Sequence, residues 1–212
     1  MSVLQEFRMG SLVQFVCFTT ALPQDEFLQA WEPFASSFLS RGIERVVLNE
    51  NTERSSESAF DYVSRNLWDE SRFERAYPHG VRGSGGLGPI GVLQAGGFRL
   101  SESTNVDLTS GARTENKVVA FLMTRMGQRE KARAAIRSAL QHPGVAASAL
   151  FLKDGDARTD RFDMVIEVYC RDGAVDDVID VLRTVTATYV TAAPVIVGAY
   201  REVAEMGVEA KR

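Results

Sequence analysis

AFDYVSRNLW (residues 59–68) and RFDMVIEVYC (residues 161–170) carry the same Phe-Asp pair ahead of a run of seven residues, at two places in one chain. The pairs stand at 60–61 and 162–163, an offset of 102 residues. The same offset sets Phe34 on Ile136, Phe38 on Leu140, Gly42 on Gly144, Ile43 on Val145 and Leu48 on Leu150, and it lays GGFR (96–99) over GAYR (198–201). Apolar matches alone arise easily by chance. The paired glycines, the Phe-Asp dipeptides and the Gly-x-aromatic-Arg pairs do not, and together they indicate an internal duplication.

Each copy reads as the same series of elements. VQFVCFTT (13–20) and KVVAFLMT (117–124) are β-branched and aromatic runs, the mark of strands. In DEFLQAWEPFASSFLSRG (25–42) the residues Phe27, Ala30, Trp31, Phe34 and Phe38 recur at helical spacing, and Gly42 is the expected stop. QREKARAAIRSALQHPG (128–144) repeats this with Ala132, Ala135, Ile136, Ala139, Leu140 and Gly144. Strands IERVVLNEN (43–51) and VAASALFLK (145–153) follow, then the two opening stretches, a second helix, and final strands IGVLQAGGFRL (90–100) and APVIVGAYREV (193–203). The order is βαββαβ, twice. SESTNVDLTSGARTEN (101–116) between the copies is polar and aperiodic and reads as a linker, dividing the chain into 11–100 and 117–204. The predicted fold is α+β: two fused ferredoxin-like units, each a four-stranded antiparallel sheet with helices on one face. Packed sheet to sheet, the two open faces form an intramolecular α/β barrel.

Composition removes several classes of function. The chain has 212 residues, 45% hydrophobic and 25% charged, with 24 basic against 28 acidic side chains and a formal net charge of −4. Without basic runs, neither nucleic acid nor an anionic membrane surface is an expected partner. No stretch approaches the ~20 apolar residues of a membrane span, so a soluble, cytoplasmic protein is expected. Cys17 and Cys170 lie in apolar runs and are expected to be reduced.

A pair of βαββαβ units is similar to the dimeric α/β-barrel superfamily over essentially the whole chain. NLWDESRFERAYP (66–78), a strand ending in Trp-Asp before a helix, resembles an element of the antibiotic-biosynthesis-monooxygenase-like and EthD-like members. GGFRL (96–100) and GAYREV (198–203) resemble the final strand of EthD-like proteins. The resemblance implies a small-molecule protein, since the superfamily includes cofactor-independent monooxygenases, lactone isomerases, polyketide cyclases, haem-handling enzymes and proteins of no known activity. In the monooxygenase-like members the Trp at the position of Trp68 lies by a cavity between sheet and helices. Their helix histidine is missing here, where Phe73, Glu74 and Arg75 stand, and the nearest histidine is His79.

The copies differ where a site is expected. Tyr62, Ser64, Asn66 and Trp68 share one face of the third strand and stand where the second copy has Met164, Ile166, Val168 and Cys170. A polar and aromatic row in place of an apolar one predicts a pocket in the first copy only, because buried hydroxyls and amides need partners. The opposite face holds Arg65 against Glu167, equivalent positions that a pseudo-twofold axis would bring together as a structural ion pair. Alternation leaves open which parity faces the barrel interior, and the likeness of Trp68 favours the even set.

The second helices differ as well. DGAVDDVIDVLRTVTATYV (172–190) is a full amphipathic helix with an acidic start. The first copy has DESRFERAY before PHGVRGSGGLGP (78–89), a glycine-rich segment without the Lys-Ser/Thr of a phosphate loop. It reads as a loop at a pocket mouth. His79 is the candidate general base and Arg82 the candidate to meet an enolate charge, with Tyr62, Ser64, Arg65, Asn66 and Trp68 binding substrate. His142, beside Pro143 at a helix end, reads as structural; Asn49, Asn51 and Glu53 are explained equally by turn chemistry. Two separated histidines do not make a zinc site. One axial histidine suffices for haem, but no other feature asks for it, so no metal and no cofactor is expected. The expected ligand is a hydrophobic, aromatic or polyketide-like compound; the alternative is a noncatalytic structural or partner-binding protein. A chain carrying both units closes its barrel as a monomer, and a homo-oligomer would use surfaces outside it.

Overall fold

The computed structural model describes residues 11–53, 60–69, 89–105, 116–153, 162–189 and 196–207. Among them are eight strands: β1 (Leu12–Thr19), β2 (Ile43–Asn51), β3 (Tyr62–Trp68), β4 (Gly91–Asn105), β5 (Lys117–Leu122), β6 (Val145–Lys153), β7 (Met164–Cys170) and β8 (Ile196–Gly207). Three helices join them: α1 (Gln24–Leu39), α2 (Arg129–Ala139) and α3 (Val175–Tyr189). Every strand pair is antiparallel, and the sheet closes as a barrel in the order β1-β3-β2-β8-β5-β7-β6-β4. Replacing each strand by the one four later returns the same cyclic order. Closure leaves no open sheet edge for another chain to extend.

Registers repeat along with the order. Val46 pairs with Asn66 and Ser148 with Val168; Leu48 pairs with Ala204 and Leu150 with Glu102. The Phe-Asp dipeptides do the same work twice. The Asp61 and Asp163 N–H groups donate to Phe18 O and Leu122 O, each at 2.9 Å, and their carboxylates accept from the Thr20 N–H at 2.7 Å and the Thr124 N–H at 2.9 Å. Each carboxylate thus ties the exit of one strand to the entry of another, which accounts for the dipeptide recurring where general strand propensity would not require it.

The interior of the barrel is aromatic. Phe15 meets Phe98, Phe121 and Phe151 edge-on, with ring centroids 5.8, 5.9 and 5.3 Å apart. Such contacts add roughly 0.5–1.5 kcal/mol each beyond burial of the rings. Val63, Val119, Val165 and Tyr200 belong to the same cluster. Outside the sheet, α1 lays Phe27, Trp31, Ala35 and Phe38 on Val16, Phe18, Val46, Leu48 and Tyr62. Helices α2 and α3 cover Ile166, Val168 and Cys170 with Ala132, Ile136, Val178 and Leu182.

Three sequence expectations need correction. The odd-numbered residues of β3 and β7, Val63 and Val165 among them, face the barrel interior, whereas Tyr62 and Trp68 face the helical layer, so the even set does not point inward. Both faces of these strands are buried, and alternation between two apolar environments carries no sign of which is which. Strand β4 continues to Asn105, five residues into the segment expected as linker, because its outer half pairs with β6. The aligned glycines also differ: Gly42 takes φ +111° after α1, a conformation that side chains disfavour, while Gly144 keeps an ordinary φ. A Cβ on Gly144 would lie 2.7 Å from Ala174 Cβ, so close packing requires that glycine.

Candidate functional site

On the helix-facing side of the first copy, Gln14 on β1 sits opposite Asn66 on β3, and Leu12 opposite Trp68. Pairing at this register converges four hydrogen-bonding side chains. Ser64 Oγ donates to Asn66 Oδ1 at 2.7 Å, Asn66 Nδ2 donates to Gln14 Oε1 at 3.4 Å, and Trp68 Nε1 donates to the same oxygen at 3.2 Å. All four are buried; Gln14, Ser64 and Asn66 are each 1% exposed and Trp68 4%. The equivalent positions in the second copy pair Val118 with Val168 and Ala120 with Ile166, an apolar surface under α2 and α3. One copy therefore holds a hydrogen-bonded polar cluster where its counterpart is core.

The structure brings Ser64, Asn66 and Trp68 together and leaves Tyr62 and Arg65 outside the cluster. Tyr62 stacks on Phe27 at 3.9 Å with rings 9° apart and donates its hydroxyl to Glu50 Oε1 at 3.4 Å, so it is packed beneath α1. Arg65 points through the opposite face into the barrel. His79, Arg82, the short helix expected at DESRFERAY and most of the glycine-rich segment lie outside the described residues. Gln14, the acceptor at the centre of the cluster, went unnoticed in the sequence. Its one signal was a polar residue at an even position inside the apolar run VQFVCFTT.

Inside the barrel, Arg65 Nη1 donates to Glu167 Oε2 at 2.6 Å and to the Tyr169 hydroxyl at 3.1 Å. Lys117 Nζ stands 3.9 Å from Glu167 Oε1, donates to Asn49 Oδ1 at 2.6 Å and lies 5.3 Å from the centre of the Tyr169 ring. Arg65, Lys117 and Glu167 are all essentially without solvent contact. Burial alone would raise the Glu167 pKa, but the Arg65 and Lys117 charges overcome it and hold the carboxyl below its ordinary value. Burial pulls Lys117 down to about 8 against the opposing pull of Glu167. It raises Tyr169, partly countered by Arg65. The expected Arg65–Glu167 pair is thus present, within a larger network holding two cations and one carboxylate. Asn49, Lys117 and Tyr169 were not anticipated in it.

The thiols lie in different layers, Cys17 inside the barrel and Cys170 under the second pair of helices. Burial pushes Cys17 well up and Cys170 to about 12, so both stay protonated at neutral pH. His142 Nδ1 accepts the Gly144 N–H at 3.1 Å, a local turn contact. Among the described residues no group of three or more His, Cys, Asp and Glu side chains is placed to hold a metal ion. No described helix is long and apolar enough to cross a membrane.

No family profile matches the chain, and no curated protein sequence does. Solved structures do. An anthrone oxidase-like protein superimposes with TM-score 0.59 at 13% identity, over 96% of this chain and 95% of its own. Chlorite dismutase from Candidatus Nitrospira defluvii, in complex with imidazole, gives 0.55 at 15% identity over 92% of both chains. A protein provisionally described as a monooxygenase from Lactobacillus acidophilus NCFM gives 0.51 at 11% identity, over 93% of this chain and 96% of its own. These similarities establish the fold alone, an α+β barrel.

Proposed function

We propose that the chain is a tandem fusion of two ferredoxin-like units in which the first copy binds a small hydrophobic molecule, aromatic or polyketide-like, beside Trp68. The observation that carries the reading is the replacement of the second copy's Val118, Ile166 and Val168 by Gln14, Ser64 and Asn66 on the helix-facing side. Burying polar groups costs stability unless they are hydrogen-bonded, and here Ser64, Asn66, Gln14 and Trp68 must satisfy one another where an apolar row would need no partners. Gln14, Asn66 and the Trp68 indole converge as a polar group among apolar neighbours, the composition that orients a mostly apolar ligand once it exchanges partners with them. The strand order and registers that map onto themselves support the fusion.

The finer reading is an enzyme of monooxygenase, isomerase or cyclase type, in keeping with the anthrone oxidase-like protein and the monooxygenase among the similar folds. His79 would move a proton at the substrate and Arg82 would meet the resulting enolate charge. The test is tryptophan fluorescence of the whole chain against a panel of anthrones and aromatic ketones, followed by turnover of any binder. Trp68→Phe should remove the fluorescence response, and His79→Ala should remove turnover while leaving binding. Binding that survives in Trp68→Phe would overturn the site. Binding without turnover in the unmodified protein would favour the noncatalytic alternative.

A further inference from the structure

Lys117 opens β5 with its amine inside the barrel, where an amide, a carboxylate and an aromatic ring meet it. Nζ donates to Asn49 Oδ1 at 2.6 Å, stands 3.9 Å from Glu167 Oε1 and lies 5.3 Å from the centre of the Tyr169 ring. Lys117, Asn49 and Glu167 are each 0% exposed. Lys117 and Asn49 belong to β5 and β2, which are not neighbours; β8 runs between them, and the amine reaches across it. The matching strand pairs are apolar at these places. Lys117 stands opposite Tyr169 where Val13 stands opposite Leu67, and Asn49 opposite Val63 where Phe151 stands opposite Val165. An amine and an amide thus occupy places that the rest of the interior fills with hydrocarbon.

Two details set this contact apart from an ordinary buried ion pair. The orientation of Asn49 is fixed: its Nδ2 donates to Val63 O at 3.1 Å, a group that can only accept, so Oδ1 is the atom facing Lys117 and the carbonyl carbon Cγ lies one bond behind it. Glu167 is only half engaged. Its Oε2 accepts from Arg65 at 2.6 Å, while Oε1 is fully buried and has no hydrogen-bond partner among the described residues. Burial favours the neutral amine of Lys117 and brings its pKa down to about 8, so that about one amine in ten is uncharged at pH 7. Burial opposes ionisation of Glu167, and Arg65 and Lys117 overcome it, leaving a carboxylate able to take a proton. A desolvated amine is a nucleophile, and fixing it beside a carbonyl in a site without water removes the entropic part of the barrier.

We propose that Lys117 and Asn49 are a modification site, at which the folded chain joins its own side chains through an amide bond. The neutral Nζ swings from Oδ1 to Cγ and attacks. The Nζ–Cγ bond forms, the Cγ–Nδ2 bond breaks, and Glu167 Oε1 carries one proton from Nζ to Nδ2, which leaves as ammonia. Nothing is oxidised or reduced, and no co-reactant is consumed. The first four strands meet the last four at two seams, one of them between β2 and β8, and a bond from β2 to β5 closes that seam covalently. The titration of Lys117 belongs to the chain before the bond has formed.

The test is the mass of the intact, denatured chain, followed with time after purification, and then a tryptic digest. The unmodified protein should become lighter than its sequence by one ammonia, about 17 Da, and the digest should hold a branched peptide that joins Lys117 to Asn49 and is uncut after Lys117. Lys117→Met and Asn49→Ser should each keep the full mass. Glu167→Gln, compared in protein whose circular dichroism matches that of the unmodified chain, should condense more slowly by roughly a hundredfold. A full mass that persists in the unmodified chain would overturn the proposal. So would loss of ammonia without a branched peptide, as from a cyclic imide at an asparagine, the same loss in Lys117→Met or Asn49→Ser, or a link from Lys117 to Glu167 in place of Asn49. Condensation of Glu167→Gln at the unmodified rate would overturn the part given to Glu167.

Discussion

Arg65 and Glu167 are 102 residues apart in the chain and meet at 2.6 Å inside the barrel. They occupy equivalent positions on β3 and β7, two strands that are not neighbours in the sheet. Their contact therefore joins the two halves across the barrel. Equivalent positions related by a pseudo-twofold axis approach one another, and opposite charges there favour association of unlike halves. Two copies of either half alone would bring like charges together, so the pair encodes which half faces which.

Removing the carboxylate should cost more than removing either cation. Glu167→Gln leaves Arg65 and Lys117 buried around a neutral amide, whereas Arg65→Met leaves Glu167 beside Lys117 at 3.9 Å. Breaking a buried pair typically costs about 3–5 kcal/mol. Urea denaturation should place Glu167→Gln at the upper end and Arg65→Met below it. The double variant Arg65→Met, Glu167→Met should lose less than the two single losses together; strictly additive losses would contradict the network.

Lys117 makes stability depend on pH. Its folded value of about 8 lies under the ordinary 10.5, so between those values the unfolded chain holds a proton that the folded chain has released. Stability from this group therefore rises with pH across the window, by at most about 1.4 kcal/mol per pH unit. Raised values at Cys17, Cys170 and Tyr169 act in the opposite sense at higher pH, starting from the ordinary 9.0 of the thiols. The rise is accordingly cleanest from pH 8 to 9. Subtracting the denaturation profile of Lys117→Met from that of the unmodified protein isolates it, and a flat difference would show that Lys117 keeps its ordinary affinity for protons.

The two aligned glycines should fail for different reasons. Gly42→Ala forces a side chain to φ +111°, a conformational cost local to the end of α1, on the order of 1–3 kcal/mol. Gly144→Ala drives a methyl group to 2.7 Å from Ala174 Cβ. Ala174→Gly should therefore recover much of the Gly144→Ala loss and none of the Gly42→Ala loss. Equal rescue, or rescue of neither, would contradict the packing account.

The architecture was readable because two stretches of the chain carry the same pattern of residues and can be compared with each other. Phe60-Asp61 and Phe162-Asp163 recur because each carboxylate holds a strand junction, and Arg65 with Glu167 was legible because the two stand at matching places of β3 and β7 and carry opposite charges. The site was harder. Strand alternation separates two faces but not their destinations when both are buried, so the direction of Ser64 and Asn66 had to come from the packing of Phe27 and Trp31 against Tyr62 and Trp68. Gln14 was hidden because its partner lies 52 residues away on another strand.

Gln14, Ser64 and Asn66 allow the strongest test of whether the polar cluster exists for the fold or for a ligand. Gln14→Val alone removes the oxygen that accepts from Asn66 at 3.4 Å and Trp68 at 3.2 Å. A buried amide left short of an acceptor costs about 1–3 kcal/mol, so the single variant should be destabilised. Changing all three residues to those of the second copy, Gln14→Val with Ser64→Ile and Asn66→Val, removes the buried polar groups together and restores the apolar pairing seen at Val118, Ile166 and Val168. That triple variant should recover the single loss or exceed the original stability, provided the larger side chains fit. It should also lose any ligand-induced change in Trp68 emission. A triple variant that is more stable and no longer binds would mean that the first copy keeps its polar cluster at a cost in stability, for recognition. A triple variant less stable than Gln14→Val alone would mean that the cluster is there to hold the fold.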